Sequence, residues 1–401
     1  MNQAFIVNGV RTAIGSFGGT LSTVRTDDLA AFVLKELMKK NHGVDFSTIG
    51  DVVMGCANQA GEDNRNVARM ASLLAGLPIS VPGQTVNRLC ASGLSATIDA
   101  ARAIQVGDED LMISGGVENM TRGPLILSKS SAAFGRDQQL YDSSFGWRFI
   151  NPKMKELFGV DAMGETAENV AEKYQISRND QDAFAYRSQQ KAAKALTSGR
   201  FEKEIASLEI PQKKGNAILF SKDEFAKANT NMESLAQLKT AFKKDGTVTA
   251  GNASGLNDGA AALLLASENG LKQNNLTPLA RIVSSAVVGV EPRIMGIGPV
   301  EASNKALKRA GLKIDDIGII ELNEAFAAQA LACTRSWGLD DQDIRLNING
   351  GAIALGHPLG MSGARILNSA AVDLHIHQQR YALVTMCIGV GQGYAVVIER
   401  C

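Results

Sequence analysis

The feature that most constrains the fold of this sequence is a pattern that occurs twice. A helical stretch that ends at Gly43 and leads into an apolar strand is matched by a second such stretch that ends at Gly311, 268 residues later. Ala-Ser-Gly at residues 91–93 is matched in the same way by Met-Ser-Gly at residues 361–363, 270 residues later. Similar segments at one offset are typical of a duplicated unit, so we predict two halves with one architecture.

Within each half, predicted strands alternate with predicted helices. Residues 4–8 favour a strand, residues from Thr26 to Gly43 favour a helix with an apolar stripe, and residues 49–54 favour a buried strand. This alternation is typical of βαβ units. We therefore predict an α/β fold with a largely parallel sheet.

A long segment separates the two halves. Residues 121–247 contain a polar, glycine-bearing run and two amphipathic helices, at about 165–174 and 178–198, and this is too much structure for a simple linker. We therefore predict an inserted loop or cap domain at 121–247. The first half then comprises residues 1–120 and 248–272, and the second half comprises residues 273–401.

Composition excludes several classes of protein. Lysine and arginine number 41 and so do aspartate and glutamate, so the chain has no overall basic charge for binding nucleic acid. No apolar run approaches the roughly 18 residues of a membrane span. The five cysteines are odd in number and widely scattered, which favours a reducing compartment over a disulfide framework. With no signal peptide at the N-terminus, we expect a cytoplasmic protein.

Cys90 is the first candidate for chemistry. Thr85 and Val86 favour a strand, and the apolar spacing beyond Gly93 favours a helix, so Cys90 lies where a strand turns into a helix. The positive end of a helix dipole favours a thiolate, which is the nucleophilic form of cysteine. A buried cysteine is otherwise a small inert hydrophobic residue.

Three stretches of the second half place further reactive side chains near strand ends. They contain Asn323, His357 between glycines and beside Pro358, and Cys387 followed by a glycine-rich run that begins at Gly389. Each has a structural alternative: Asn323 as a helix cap, His357 as a hydrogen-bonded core residue and Cys387 as core packing. Metal binding is disfavoured because the cysteines and His357 lack the spacing of metal ligands. The glycines after Cys387 do not form a complete dinucleotide-binding fingerprint.

Taken together, these stretches resemble the thiolase family over essentially the whole chain. Six motifs stand in the family's order: Asn87–Gly93, Gly115–Met120, Thr249–Gly259, Asn323–Phe326, Gly356–Gly360 and Cys387–Gly393. The resemblance implies two duplicated α/β halves in five layers, with a loop domain inserted in the first half.

The resemblance also implies roles for the reactive residues. His357 is expected to take the proton of Cys90, whose thiolate attacks the 3-keto carbon of a 3-oxoacyl-CoA. His357 and a water held by Asn323 are expected to stabilise the resulting oxyanion. Cys387 is expected to protonate the acetyl-CoA enolate and later to deprotonate CoA. Backbone groups of Cys90 and Gly389 resemble a second oxyanion hole.

Coenzyme A is the co-substrate that the resemblance implies, with no permanently bound cofactor and no metal. The positions that match the family's contacts to CoA and the acyl chain are Ser254, Met163, Met295, Phe326 and Lys227. Relatives commonly carry arginine where this chain has Lys227, and lysine lacks the planar surface that stacks on adenine. Members of the family are usually homotetramers or homodimers.

Substrate choice follows from two local features. Ala162 precedes Met163 where biosynthetic acetoacetyl-CoA thiolases tend to have histidine, and residues 142–152 resemble the corresponding loop of 3-oxoadipyl-CoA thiolases. Arg148 in that loop is the candidate partner for a carboxylate at the far end of the acyl chain. In the alternative interpretation, Trp147 and Phe149 pack the inserted lobe and Arg148 is solvated.

We therefore expect a degradative thiolase that acts on 3-oxoadipyl-CoA. The alternatives are a broad-range 3-ketoacyl-CoA thiolase of β-oxidation and an acetyl-CoA acetyltransferase. A ketoacyl synthase would commonly carry histidine at the position of Cys387, and a catalytically silent CoA-binding scaffold would not need Cys90 and His357.

Overall fold

The computed structural model describes residues 2–401, which form a mixed α/β fold. The strands are β1 (Phe5–Arg11), β2 (Gly15–Ser16), β3 (Val52–Gly55), β4 (Gly83–Val86), β5 (Leu111–Asn119), β6 (Leu125–Leu127), β7 (Leu140–Asp142), β8 (Leu208–Ile210), β9 (Ile218–Phe220), β10 (Asn257–Ala266), β11 (Ala280–Gly289), β12 (Ile319–Leu322), β13 (Tyr381–Ile388) and β14 (Gln392–Arg400). The helices are α1 (Thr26–Lys40), α2 (Val67–Ala75), α3 (Ser92–Val106), α4 (Pro152–Phe158), α5 (Met163–Lys173), α6 (Arg178–Thr197), α7 (Met232–Ala236), α8 (Glu268–Gln273), α9 (Gly298–Ala310), α10 (Ala327–Ser336), α11 (Ala352–Leu355) and α12 (Leu359–Ile376).

The predicted duplication is visible in the order of the strands. The main sheet runs β12-β13-β14-β11-β1-β10-β5-β3-β4, and β2 pairs with β10. Reading outward from the β1–β11 junction, the first half gives β1-β10-β5-β3-β4 and the second half gives β11-β14-β13-β12. A bridge between Ile320 and Leu346 takes the place of the fifth strand in the second half.

Three clusters of buried hydrophobic side chains define the layers of the fold. One cluster combines α3 and α12 with one face of the strands of both halves, such as Leu263 of β10 and Val384 of β13. A second cluster joins α1 and α2 to the opposite face of the first half, and a third joins α9 and α10 to the opposite face of the second half. Because successive side chains of a strand point to opposite faces, Leu263 and Leu264 belong to different clusters. The described chain thus has five layers, with α3 and α12 in the middle.

The prediction of a largely parallel sheet is wrong. Strands β3–β4, β3–β5 and β12–β13 pair in parallel, but β1–β10, β1–β11, β5–β10, β11–β14 and β13–β14 are antiparallel. A loop of only three residues joins β13 to β14, and so short a connection permits only antiparallel pairing. The inserted segment occupies the equivalent position between β5 and β10.

The inserted segment contains the two expected helices, α5 and α6. Helix α6 begins after Ser177, whose side chain accepts a hydrogen bond from the backbone N–H of Asp180 and so caps the helix. Two small antiparallel pairs, β6–β7 and β8–β9, complete the segment. The domain boundaries given above stay a prediction.

Glycines bring the two central helices close together. A Cβ atom on Gly93 of α3 would lie 2.4 Å from the carbonyl oxygen of Gly360, and one on Gly363 of α12 would lie 2.4 Å from the backbone nitrogen of Leu94. No larger residue fits at these contacts without a shift of the backbone. The residues just before each helix, Cys90 and His357, are therefore held on the same side of the molecule.

Between residues 2 and 401, no helix is both long enough and apolar enough to cross a membrane.

Candidate active site

A cavity of about 490 Å³ lies where the two halves meet the inserted segment. Residues from all three parts of the chain line it. The predicted site residues in its wall are Cys90, His357, Cys387, Gly389, Ser254, Met163, Met295, Phe326 and Arg148. Asn323 lies directly behind His357, and Lys227 lies outside the lining residues.

Cys90 occupies the predicted turn between a strand and a helix. Strand β4 ends at Val86 and helix α3 begins at Ser92, and Leu89 adopts a left-handed conformation with φ of 48°. The hydroxyl of Ser92 accepts a hydrogen bond from the backbone N–H of Arg88 and donates one to the carbonyl of Leu89. These bonds fix the turn and present the half-buried Cys90 side chain to the cavity.

Two opposing effects act on the Cys90 thiol. Burial raises the pKa of the Cys90 thiol to about 11, although hydrogen bonds from the backbone N–H groups of Gly389 and Cys90 itself act in the opposite direction. The desolvation of a thiolate therefore outweighs the effect of the helix terminus. Cys90 needs a base at the moment of attack.

Hydrogen bonds hold His357 at its backbone and at both ring nitrogens. Its backbone N–H donates to the Asn257 side chain at 2.9 Å, and its Nδ1 lies 2.7 Å from the Ser362 hydroxyl. That hydroxyl also lies 2.8 Å from the carbonyl of Pro358, and when it donates its proton there it accepts from Nδ1–H. Nε2 is consequently left unprotonated and able to act as a base.

The electrostatics of the site favour this neutral imidazole. Burial, followed by the nearby positive charge of Arg365, lowers the pKa of His357 to about 3. His357 is therefore uncharged at neutral pH, and the resting site consists of a neutral thiol and a neutral base.

Asn323 lies behind the imidazole and is not a helix cap. Helix α10 begins only at Ala327, with Phe326 at its N-cap position. The Asn323 Nδ2 atom lies 3.4 Å from Nε2 of His357, and its backbone N–H donates to the carbonyl of Thr385 at 3.0 Å. Its Oδ1 is buried and has no hydrogen-bond partner in the described residues, which makes Asn323 a suitable anchor for a water molecule.

Cys387 is the last residue but one of strand β13 and lines the cavity together with Cys90. Burial, and then the proximity of Cys90, raise the pKa of the Cys387 thiol well above its usual range. The following turn has positive φ at Val390 and Gly391, as expected for a tight connection between antiparallel strands. This turn brings the backbone N–H of Gly389 to the sulfur of Cys90.

Apolar side chains form the wider part of the cavity. Met295 and Phe326 are buried, and Met163 begins helix α5 at the mouth. Phe242 of the inserted segment packs edge-on against Phe326, with 6.4 Å between the ring centroids. Ser254 is fixed by a backbone hydrogen bond to the carbonyl of Ala325 at 2.9 Å. This lining suits an acyl chain and the slender arm of a thioester cofactor.

Arg148 lies on the wall that the inserted segment supplies. Its Nη1 is 3.4 Å from the carbonyl oxygen of Ser143, and it forms no ion pair within residues 2–401. Trp147 donates its indole N–H to the carbonyl of Asp161 at 3.1 Å, and Phe149 contacts Tyr141 with 4.9 Å between the centroids. Trp147 and Phe149 therefore hold the lobe, as the alternative interpretation expected, while Arg148 still faces the cavity.

Lys227 is exposed and more remote. Its ammonium lies 5.8 Å from the ring centroid of Phe225, and that ring lies against Gly255 of the cavity wall. A role for Lys227 beside an adenine stays a prediction.

Sequence reasoning assigned no role to three residues that shape the site. Ser362 fixes the His357 tautomer, Asn58 donates to the carbonyl of Ser143 at 3.0 Å, and Glu118 lies in the cavity wall. Ser362 and Glu118 lie within or next to motifs already recognised, and a serine five residues after a histidine was the available signal. Asn58 lies in an irregular turn with no such signal.

Comparison with known proteins agrees with this geometry. Residues 4–269 match the family described as "Thiolase, N-terminal domain" and residues 276–400 match "Thiolase, C-terminal domain". The 3-oxoadipyl-CoA/3-oxo-5,6-dehydrosuberyl-CoA thiolase of Escherichia coli (strain K12) is 58% identical over 100% of both chains. A beta-ketoadipyl-CoA thiolase of Acinetobacter baylyi is 56% identical over 100% of both. The crystal structure of human mitochondrial 3-ketoacyl-CoA thiolase superposes with a TM-score of 0.92 at 41% identity, covering 100% of this chain and 99% of that one.

Proposed function

This chain belongs to the thiolase family, and from that premise we propose that it cleaves 3-oxoadipyl-CoA with CoA to give succinyl-CoA and acetyl-CoA. The observation that carries the proposal is a single cavity lined by Cys90, His357 and Cys387 and also by Arg148. The first three residues supply the chemistry, and the fourth supplies a charge for the distal carboxylate.

The first half-reaction loads the acyl group on Cys90. Nε2 of His357 takes the thiol proton as the sulfur bonds to the C3 carbonyl carbon. The C2–C3 bond then breaks, and its electron pair leaves as the enolate of acetyl-CoA. Cys387 donates its proton to C2, which leaves a thioester on Cys90, an imidazolium at His357 and a thiolate at Cys387.

The second half-reaction restores each group. CoA gives its thiol proton to Cys387, and the CoA sulfur attacks the thioester carbonyl. Cys90 leaves as its sulfur takes the proton held by His357. The raised pKa of the buried Cys387 thiol favours the transfer from CoA, because such a thiolate is a strong base.

Two sets of donors support the negative charges that form. The protonated Nε2 of His357 and a water on Asn323 are placed to receive the oxyanion of the C3 attack, which the 3.4 Å separation of their side chains supports. The N–H groups of Cys90 and Gly389 are placed for the thioester oxygen, since both already point at the Cys90 sulfur.

The distal carboxylate is the basis for substrate choice. The names of both curated relatives describe acyl chains that end in a second carboxylate. Arg148 has no anionic partner among the described residues, so its charge is available to such a chain. Ala162 at the start of α5 is a further difference from the pattern of acetoacetyl-CoA enzymes.

CoA and acyl-CoA are then the only small-molecule partners that the reaction needs, with no permanently bound cofactor. We place the protein in the cytoplasm and expect a homodimer or homotetramer. Strand β4 ends the sheet with a free edge, and the β6–β7 hairpin exposes Leu125, Leu127 and Leu140. Light scattering after gel filtration measures the oligomeric state.

A broad-range 3-ketoacyl-CoA thiolase is the second candidate, favoured by the apolar lining of Met163, Met295 and Phe326. Steady-state thiolysis of 3-oxoadipyl-CoA and of 3-oxohexanoyl-CoA, which lacks the carboxylate, separates the two. A preference in kcat/KM of about a hundredfold for the dicarboxylate supports the proposal. Near-equal values support the broad-range enzyme.

A further inference from the structure

A buried carboxylate lies in the cavity wall and has no part in the reaction described above. Glu118 is the last residue but one of strand β5, has 1% of its surface exposed, and forms no ion pair within residues 2–401. Three backbone N–H groups donate to it instead. We propose that Glu118 is a positioning residue, whose carboxylate fixes the turn that carries His357 against the first half of the molecule.

The donors come from both halves of the chain. The backbone N–H of Asn58 donates to Oε1 at 3.0 Å, and the backbone N–H of Ala57 donates to Oε2 at 3.0 Å. The third donor is Gly360, whose N–H lies 2.9 Å from Oε2. Gly360 belongs to the first turn of α12, where backbone N–H groups have no partner within the helix.

Gly360 belongs to the same turn as His357 and the residue that fixes its imidazole. The turn from His357 to Ser362 includes the hydroxyl that holds Nδ1, and Gly360 lies between them. A Cβ atom on Gly360 would lie 2.2 Å from the carbonyl oxygen of Val117, so this turn is pressed directly onto β5. A shift of Gly360 would therefore move the imidazole.

The chemistry of the contact requires both oxygens of a carboxylate. A glutamine at position 118 has only one acceptor oxygen, so its NH₂ group would face either the N–H of Asn58 or those of Ala57 and Gly360. At least one backbone donor would lose its partner in the protein interior. Glu168 offers a comparison, because its buried carboxylate accepts from the backbone of Thr247 and Val248 at 2.8 Å but does not touch the His357 turn.

The charge of Glu118 and its contact to Gly360 predict opposite effects of a substitution on the rate of attack by Cys90, so the two roles can be told apart. A negative charge at Glu118 disfavours the Cys90 thiolate, so loss of the charge alone would make Cys90 more reactive. Loss of the contact to Gly360 would instead displace the base and slow the attack. Since misplacement by about 1 Å can cost about a hundredfold in rate, the positional effect dominates.

The experiment is a single-turnover reaction with 3-oxoadipyl-CoA in the absence of CoA, following the release of acetyl-CoA. The inference rests on the proposed function through the role of His357, so the wild type is measured first. No release by the wild type would contradict the proposed function itself. We expect E118Q to release acetyl-CoA about a hundredfold more slowly than the wild type, with unchanged substrate affinity, and E168Q to remain within about twofold.

A second variant keeps the test decisive if E118Q does not fold. E118D retains the charge on an arm that is one methylene shorter and cannot reach all three donors, so we expect a rate between those of the wild type and E118Q. A wild-type rate in E118D, or a rate in folded E118Q that equals or exceeds that of the wild type, would overturn the positioning role.

Discussion

Nε2 of His357 lies 3.4 Å from Nδ2 of Asn323, while the other ring nitrogen is fixed by the Ser362 hydroxyl at 2.7 Å. This arrangement orients a neutral base with its free nitrogen next to an amide. In the proposed mechanism, the same nitrogen accepts the proton of Cys90 and then faces the oxyanion that the attack creates. The pair therefore links the proton transfer to the stabilisation of charge.

Substitution of Asn323 tests the second of these tasks. In N323A, His357 keeps its bond to Ser362, but the amide beside Nε2 is lost. We expect kcat for thiolysis to fall by about 10²-fold to 10³-fold with little change in KM, as for other oxyanion donors. Alkylation of Cys90 by iodoacetamide should change by less than about threefold, because the base is retained. A parallel loss in alkylation would assign Asn323 to the orientation of His357 instead.

Substitution of Cys387 tests its role in proton transfer separately from the reactivity of the nucleophile Cys90. C387S should lower thiolysis by about 10²-fold to 10⁴-fold, because a hydroxyl is a poorer acid than a thiol, while Cys90 still reacts with iodoacetamide. C333S is the matched control, since Cys333 is equally buried, donates to the carbonyl of Gly296 and lies outside the cavity wall. Equal losses in the two variants would point to packing and not to acid catalysis.

Arg148 is expected to discriminate by charge at the end of the acyl chain. R148A should raise KM for 3-oxoadipyl-CoA by about 10-fold to 100-fold, the value of a hydrogen bond to a charged group, and leave 3-oxohexanoyl-CoA nearly unaffected. R136A, an exposed substitution in the same inserted segment, is the control. An equal effect of R148A on both substrates would contradict the role of Arg148 as the partner of the distal carboxylate.

The lowered pKa of His357 has a consequence for stability. The imidazole titrates near 6.5 when the chain is unfolded but only at about 3 when folded, so the unfolded state binds more protons below pH 6.5. This contribution to stability is complete above pH 6.5 and is lost as the pH falls toward 3. Between pH 7 and pH 5, the wild type should lose about 2 kcal/mol relative to H357N.

Denaturant unfolding of both proteins at each pH measures this difference. The comparison with H357N is necessary because Glu118, with its pKa raised by burial to about 7, titrates in the same range with the opposite sign. A constant difference between the two proteins would show that folding does not lower the pKa of His357.

The repeated pattern in the sequence was sufficient to predict the duplicated halves, and local turn signals predicted the positions of Cys90 and His357. Each of these residues precedes one of the paired central helices, so local turn signals located both. The direction of the strands was predicted wrongly, because the alternation of strands and helices outweighed the short glycine-rich turn after Ile388 that makes β13 and β14 antiparallel.

Properties that depend on the three-dimensional surroundings of a residue could also not be predicted from the sequence. The helix terminus favours a thiolate at Cys90, but the burial that raises the pKa of the Cys90 thiol becomes visible only in the folded chain. Glu118 has backbone N–H groups as its partners, and such contacts leave no pattern of side chains in a sequence. That Arg148 has no anionic partner in the described residues could likewise be seen only once the inserted segment was packed.

The most direct test of the account is to trap the acyl-enzyme. The protein is mixed with 3-oxoadipyl-CoA without CoA, quenched in acid, and analysed by intact mass and peptide mapping. We predict a succinyl group on Cys90 with release of one equivalent of acetyl-CoA, and no adduct in C90S. Release of acetyl-CoA without an adduct, or a succinyl group on another residue, would contradict a thiolase mechanism that proceeds through Cys90.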